Sequence, residues 1–267
     1  IGLFMAVMIG IGAMMGPGVF ALPSVVAESA GPLGILAYLA MGLLTLFTAL
    51  SYSELGAAIP IAGGGYSFTN RTLPRPVAFL TGWFFWIGNT LACSLYAVIF
   101  AYTVKNYFFP EISVILIVLA TTVLFTITNL RGQAEALLYI TVMNIIELIV
   151  LVGVGVLGVF QVEPANLEPF APMGYGPLIP TMGLIYISYV GFDLITVAAE
   201  EIIEPAKTIP RAILITLGVG IVIYVLLLWV MMGVVNYTEL AETSTPFIFV
   251  ADHLFGGWGR WAGILAT

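Results

Sequence analysis

The stretch IGIGAMMGPGVFALP, residues 9–23, decides how this chain folds. It lies in a long apolar run, yet it carries four glycines and, in Pro17, a residue that lacks an amide N–H and clashes with the preceding helical turn. In hydrocarbon, an irregular backbone survives only where protein buries it or where it lines a cavity. The stretch therefore predicts a membrane-spanning helix that is broken at its midpoint and offers backbone groups to a ligand.

The composition of the whole chain is that of a membrane protein. Hydrophobic residues make up 61% of its 267 residues and charged residues only 8%, against about 25% charged in a soluble domain. The net charge of −7 reflects few basic residues, and no Lys/Arg run suggests a nucleic-acid partner. The chain has a single cysteine, Cys93, which excludes a disulfide framework. It has one histidine and no Cys/His cluster, so we expect neither a metal site nor a metal cofactor.

Apolar segments of the length that crosses a bilayer, about 20 residues, recur along the chain. The predicted spans are 2–26, 33–59, 77–108, 113–130, 134–160, 178–203 and 212–235, and a re-entrant or amphipathic stretch at 246–255 precedes a last span from about 258. Residues 1–267 are expected to form a single transmembrane domain. The chain opens within an apolar helix without an initiator Met and ends within a span, so we expect a fragment of a longer membrane protein.

The charges of the connecting loops predict the orientation. Loops on one side of the membrane hold five of the seven basic residues, namely Arg71, Arg75, Arg131, Lys207 and Arg211. The opposite loops hold Lys105 and Arg260 among several acids. Because cytoplasmic loops carry the excess of Lys and Arg, the first span is predicted to start at the cytoplasmic side of a multi-pass protein in the cell membrane.

The sixth predicted span contains a second break. Gly191 interrupts the helix within YISYVGFD, residues 186–193, and Asp193 is a good N-cap for the half-helix that follows. Breaks in spans one and six are the pattern expected of two five-helix repeats with a binding site at their interface. We expect the first repeat at about residues 1–162 and the start of the second at about 175–267.

Four motifs in order resemble one family of membrane proteins. GAMMGPGVFALP, YSELGAAIPIAGGGYSF, TGWFFWIGN and YVGFDLITVAAEEIIEPAKTIPRAI, which begin at residues 12, 52, 81 and 189, are similar to the amino acid–polyamine–organocation (APC) transporter superfamily. The resemblance implies an all-α, polytopic fold of the leucine-transporter type. In that fold, ten of twelve helices form two inverted repeats of five, and helices 1 and 6 are broken. It also implies a secondary transporter that moves amino acids by alternating access.

An amino acid presents a carboxylate, which suits the N–H groups at the start of a half-helix, and an ammonium group, which suits the carbonyls at the end of another. The resemblance places the carboxylate at residues 16–18, where Pro17 replaces the family's Ser, so we expect binding through the amides of Gly16, Gly18 and Val19. The residues expected to bind the ammonium group through carbonyls, or to shape the second break, are Met14, Met15, Ser188, Tyr189, Val190 and Gly191. The alternative is that the glycines only permit close helix packing.

Side chains of the third and sixth spans are expected to contact the rest of the substrate. The resemblance places Phe84, Phe85, Asn89 and Ile187 there, with ordinary helix packing as the alternative for each. These side chains are large and mostly apolar, and no acid in mid-membrane faces a cationic substrate tail, which favours a neutral amino acid. However, the segment from Trp86 to Asn89 also resembles basic amino acid and polyamine exchangers, so an antiporter of such substrates stays open.

Two acids are candidates for coupling or gating. Glu147 lies about 20 Å along the fifth span at 1.5 Å per residue, where a charge costs at least about 2.5 kcal/mol. The neutral carboxyl is therefore favoured, which suits a proton carrier, and the alternative is a permanently neutral Glu147 that is hydrogen-bonded to a neighbour. Family members often carry a lysine near this position, which stands in for a sodium ion. Glu147 departs from that pattern, so the sequence leaves open whether the coupling ion is H⁺ or Na⁺ or whether there is none. Asp193 follows the second break, where some exchangers carry an acid linked to proton sensitivity; the alternative is an N-cap.

Three other classes of protein are alternatives to a transporter: a sensor, an enzyme and a channel. A binding-only sensor would use the same pocket without moving its ligand, and the sequence does not separate the two. An enzyme would need a nucleophile–base pair or metal ligands at one depth, and the sequence offers none. A channel would need a continuous polar pore, against which the apolar pocket argues.

Overall fold

The computed structural model describes residues 1–130 and 133–267, without the side chains of Pro17, Asn129 and residues 133–139. Arg131, one of the basic loop residues, lies outside the described residues. In the described part of the chain the regular secondary structure is helical and no strand forms, which confirms the prediction of an all-α protein. Among the residues described, five helical segments are long and apolar enough to cross a membrane: Leu33–Ala58, Arg75–Tyr107, Ile140–Gln161, Leu178–Val197 and Pro205–Val234.

The helices of the first half follow the predicted spans closely. They are α1 (Leu3–Met14), α2 (Pro17–Phe20), α3 (Leu22–Ala30), α4 (Leu33–Ala58), α5 (Gly64–Thr72), α6 (Arg75–Tyr107), α7 (Val114–Asn129) and α8 (Gln133–Gly158). Two 3₁₀ turns, Val159–Gln161 and Pro164–Leu167, follow α8. The first predicted span is thus three helices, and its main break falls between Met14 and Pro17, at the residues predicted.

The second half begins with the other broken span. It contains α9 (Leu178–Tyr189), α10 (Leu194–Val197), a 3₁₀ turn (Ala199–Glu201), α11 (Pro205–Val234), α12 (Tyr237–Glu242), α13 (Pro246–Phe255) and α14 (Gly257–Ala266). The break between α9 and α10 lies at residues 190–193, around Gly191 as predicted. The division into two repeats stays a prediction.

Three elements differ from the sequence-based expectation. The short helix α5, which begins at Gly64, lies in the glycine-rich segment between the second and third predicted spans, where no helix was predicted. Helix α11 begins at Pro205 rather than near 212 and keeps Pro210 inside it; a proline at the first helical position loses no hydrogen bond, since that N–H has no intrahelical partner in any case. The short helix α12, whose N-cap Asn236 accepts a hydrogen bond from the Thr238 amide at 3.0 Å, was not predicted.

Both broken helices pack against the same long helices. Helix α11 has its most extensive contacts with α4 and also packs on α1, while α4 packs on α9 and α8 packs on α1. The side chains buried between them are large and apolar; Ile11, Met14, Ile185, Tyr189, Ile213 and Leu217 are each at most 2% exposed. The breaks therefore lie in the interior of the helix bundle rather than on its surface.

Candidate substrate site at the two helix breaks

The first break leaves carbonyl groups without helical partners. Helix α1 ends at Met14 because Met15 takes an extended conformation, with φ −72° and ψ 118°. The next turn closes on Gly16, whose carbonyl accepts the amides of Val19 and Phe20 at 3.0 Å each. The orphan carbonyls at the end of α1 are bonded by tyrosines from elsewhere: Tyr96 donates to Ala13 O at 2.6 Å and Tyr224 to Met14 O at 2.6 Å.

The second break has a similar construction. Helix α9 ends at Tyr189, Val190 is extended with ψ 138°, and Gly191 adopts φ 136°, a conformation essentially confined to glycine. The carbonyl of Ser188 accepts the Tyr224 hydroxyl at 2.8 Å. Asp193 Oδ1 accepts the Gly191 amide at 2.9 Å and makes no side-chain cap on α10. The Asp193 side chain therefore stabilises the turn that precedes it. It does not cap α10 as the N-cap alternative predicts.

The two breaks meet through their backbones. A Cβ atom placed on Gly191 would lie 2.7 Å from the carbonyl carbon of Ala13 and 2.8 Å from the amide nitrogen of Met14. A Cβ on Gly18 would lie 2.6 Å from Cβ of Ser188. Neither position has room for a side chain, so the close approach that the packing alternative predicts is present at both breaks.

A cluster of three tyrosines holds this junction together. The rings of Tyr38, Tyr189 and Tyr224 are buried, with centroids 5.3–6.3 Å apart. Tyr38 donates its hydroxyl to Gly18 O at 2.9 Å, and Tyr189 donates to Tyr38 O at 2.8 Å. The Tyr224 hydroxyl joins the two breaks directly, since it bonds both Met14 O and Ser188 O.

Sequence reasoning missed Tyr38, Tyr96 and Tyr224. The available signal was weak: a tyrosine in mid-span must find a partner for its hydroxyl, because hydrocarbon supplies none. That rule predicts that the hydroxyl of such a tyrosine is hydrogen-bonded, but it does not identify the acceptor.

The backbone groups expected to bind substrate differ in whether they are free. The Val19 amide is engaged with Gly16 O, while the amides of Gly16 and Gly18 donate to no acceptor among the described residues. Met14 O and Ser188 O already accept one hydrogen bond each, and a carbonyl has two lone pairs. Within residues 1–130 and 133–267, the carbonyls of Met15, Tyr189 and Val190 accept no hydrogen bond.

The predicted residues of the third span do not share one face of α6. At about 100° per residue, Phe85 and Asn89 lie near the direction of Tyr96, whose hydroxyl contacts the first break, and Phe84 points about 120° away. Phe84 is 65% exposed, whereas Phe85 and Asn89 are half-buried. Ile187 is 37% exposed, although its neighbour Ser188 is fully buried. Phe85 and Asn89 thus lie on the face of α6 that is turned toward the first break, where Asn89 donates to Phe85 O at 2.9 Å. Phe84 and Ile187 lie on outer faces.

Glu147 lies beside the first break on α8. One turn earlier, Asn144 donates Nδ2 to Met8 O at 2.8 Å, which fixes this face of α8 against α1. Glu147 is partly buried and close enough to Tyr96 and Tyr224 to interact with them electrostatically. The described part of the chain offers its carboxyl no hydrogen-bond or ion-pair partner, in contrast to the alternative of a glutamate hydrogen-bonded to a neighbour.

Helices α4 and α5, and the loop between them, contact the second break and the segment that follows it. Tyr52 packs edge-on against both Phe68 of α5 and Phe192 of the break, with ring centroids 5.8 and 6.0 Å apart. Glu200 accepts the Ala62 amide through Oε1 at 3.1 Å. These contacts connect the loop before α5 to the segment that follows the second break.

Comparison with known proteins places the chain among permeases. A family model described as amino acid permease matches residues 1–267. The chain is 31% identical over 279 residues to the branched-chain amino acid permease BcaP of Bacillus subtilis (strain 168), a match that covers 97% of this chain and 60% of that protein. It is 28% identical over 278 residues to the methylthioribose transporter of the same organism, with the same coverage.

A plant protein is similar at the same level. The cationic amino acid transporter 9, chloroplastic, of Arabidopsis thaliana is 28% identical over 266 residues, which are 91% of this chain and 47% of that protein. The chain therefore spans at most about 60% of the length of these relatives. All three are named as permeases or transporters, in agreement with the expectation that the chain is not an enzyme.

Proposed function

The chain belongs to the amino acid permease family, and from that premise we propose that the full protein is a secondary transporter that carries amino acids across the cell membrane by alternating access. The observation that carries this proposal is the junction of two broken helices inside the bundle, where backbone carbonyls and two amides remain free to bind a ligand. Such discontinuous helices serve as substrate and ion sites at mid-membrane. The N-terminal side of α1 is assigned to the cytoplasm by the charges of the loops.

The substrate's two charged groups would bind the two breaks. The carboxylate would take the free amides at Gly16 and Gly18, at the start of α2. The ammonium group would take the free carbonyls of Met15, Tyr189 and Val190, with the remaining lone pairs of Met14 O and Ser188 O within the same junction. The substrate side chain would then extend toward Phe85 and Asn89 of α6.

We expect the full-length protein in proteoliposomes to accumulate neutral amino acids in preference to basic ones. The physical reason is that the apolar ring of Phe85 is turned toward the first break from α6, which suits an uncharged substrate side chain. The two acids near the breaks have other roles, since Asp193 accepts the Gly191 amide and Glu147 is proposed to carry the proton. The measurement is uptake of a panel of labelled amino acids, with and without an inward proton gradient. The name of the Arabidopsis relative, cationic amino acid transporter 9, favours a second candidate, an exchanger of basic amino acids or polyamines.

The outcomes of this assay separate the candidates. If basic amino acids or polyamines accumulate, and only when the lumen holds a counter-substrate, the protein is that exchanger and not an uptake system for neutral amino acids. Measurable binding without any flux would instead indicate a sensor. Uptake that is driven by a sodium gradient and not by a proton gradient would identify Na⁺, rather than H⁺, as the coupling ion.

The Glu147→Gln variant is expected to lose proton-driven accumulation while it keeps exchange of labelled for unlabelled substrate. Glutamine has the shape of the protonated glutamate but cannot release or take up a proton, so only the coupled step should fail. We expect accumulation to fall at least about tenfold, which corresponds to about 1.4 kcal/mol. Glu54→Gln is the matched control, because Glu54 is exposed near the end of α4. Accumulation by Glu147→Gln at the wild-type level would remove Glu147 from the coupling mechanism.

A further inference from the structure

An aromatic groove lies between α5 and α6, apart from the helix breaks. It encloses about 290 Å³ and is lined by Tyr66, Phe79, Gly82, Trp83 and Trp86. Only Tyr66 comes from α5. Gly82 makes room for it, since a Cβ there would lie 2.8 Å from the Tyr66 ring. The volume is just below that of small-molecule pockets, about 300–1,000 Å³.

The aromatic side chains of α6 form one continuous, exposed face. Phe79 and Trp83 are stacked, with ring centroids 6.4 Å apart and planes 13° apart, and the Trp83 and Trp86 centroids are 5.2 Å apart. These three side chains are 67%, 49% and 60% exposed. A flat belt of aromatics would be ordinary at a membrane interface, but here the face is the wall of a groove whose other side is Tyr66.

Two arginines lie at one end of this groove. Arg75 begins α6 one turn before Phe79, so that Phe79, Trp83 and Trp86 follow on the same face at about 6, 12 and 16 Å along the axis. Arg71 lies in the last turn of α5, four residues before Arg75. Both are exposed, and neither forms an ion pair or hydrogen bond with any residue that the structure describes.

This arrangement matches an amphipathic anion. The guanidinium fork suits a phosphate group, and basic residues at the cytoplasmic ends of membrane helices bind anionic headgroups. A choline headgroup would suit the aromatic rings as a cation, but the two arginines would repel it. A free phosphate would leave the aromatic wall unoccupied. We propose that the α5–α6 groove binds one anionic phospholipid, its phosphate at Arg71 and Arg75 and one acyl chain along Phe79, Trp83 and Trp86.

The test measures lipid binding and does not depend on transport. Delipidated full-length protein is titrated with phosphatidylglycerol or with phosphatidylcholine of the same acyl chains, and bound lipids are counted by native mass spectrometry. We expect phosphatidylglycerol to bind about tenfold or more tighter. The Arg71→Gln/Arg75→Gln double variant should lose this preference. Arg211→Gln, a single exposed arginine near the start of α11, should keep it.

Two further arms separate a lipid from a soluble anion. Trp83→Ala should weaken phosphatidylglycerol binding through the lost acyl contact, and glycerol phosphate should not displace the lipid. Displacement by glycerol phosphate at equal concentration would overturn the proposal in favour of a soluble anion. Equal binding of the two lipids to unmodified protein would also overturn it, and that comparison needs no variant to fold.

Discussion

Replacing Gly191 by alanine is expected to abolish uptake by the full-length protein and to lower its melting temperature. The new methyl group would meet main-chain atoms of the first break, at 2.7 Å from Ala13 C and 2.8 Å from Met14 N. Backbone atoms cannot rotate away as the end of a side chain can. In addition, φ 136° is a conformation that costs a residue with a side chain about 1–3 kcal/mol.

Both effects act on the contact between the two breaks. To relieve them, α9 and α10 must move away from α1, which separates the groups proposed to bind the two ends of an amino acid. A shift of about 1 Å at a positioned site costs about a hundredfold in rate, and we expect a loss of uptake at least that large. The measurements are initial uptake rates in proteoliposomes and melting temperatures of the purified protein in detergent.

Gly183→Ala is the matched control for this prediction. Gly183 lies in the same helix, α9, and a Cβ there would meet nothing within 4 Å. Alanine in the interior of a helix is favoured over glycine by about 0.5–1 kcal/mol, so this variant should be as stable as the wild type or slightly more so. Wild-type melting and uptake in Gly191→Ala would contradict the close approach of the two breaks.

Replacing Tyr224 by phenylalanine is expected to give the second largest effect. It keeps the ring in the tyrosine cluster but removes the hydroxyl that bonds Met14 O at 2.6 Å and Ser188 O at 2.8 Å. Each buried carbonyl left without its partner costs about 1–3 kcal/mol, so the two together should destabilise the fold by at least about 2 kcal/mol. We also expect looser coupling between the breaks, and therefore slower uptake.

Tyr102→Phe controls for the loss of a tyrosine hydroxyl as such. Tyr102 lies on α6, is 41% exposed and makes no hydrogen bond to the described residues. Its replacement should leave melting temperature and uptake unchanged. If Tyr224→Phe melts like Tyr102→Phe, the Tyr224 hydroxyl does not hold the two breaks together.

The faces of α6 show where reasoning from the sequence stops. Phe84 and Phe85 are neighbours in the chain, and both were expected near the substrate. Neighbours on a helix point about 100° apart, so at most one of them could face the first break. The position of Tyr96, whose hydroxyl donates to Ala13 O, identifies the face of α6 that is turned toward the first break.

Helix α5 shows how packing overrides local propensity. Glycine-rich sequence favours a loop, because glycine loses the most conformational entropy in a helix. In the fold, however, a Cβ on Gly65 would lie 2.7 Å from the Tyr52 hydroxyl and one on Gly64 would lie 2.9 Å from the Thr196 hydroxyl. These glycines permit contacts with α4 and α10 that stabilise the helix, and those partners are distant in sequence.

The sequence by itself determined the membrane class, most of the spans and the position of both breaks. It did so because apolar length, the conformational freedom of glycine and the missing N–H of proline act locally along the chain. Only the tertiary structure decided which groups complete the junction. Tyr96 and Tyr224 bond carbonyls 83 and 210 residues away in the chain. A buried carbonyl takes whichever donor the fold brings to it, and the packing of α6 and α11 against the broken helices decides which donor that is.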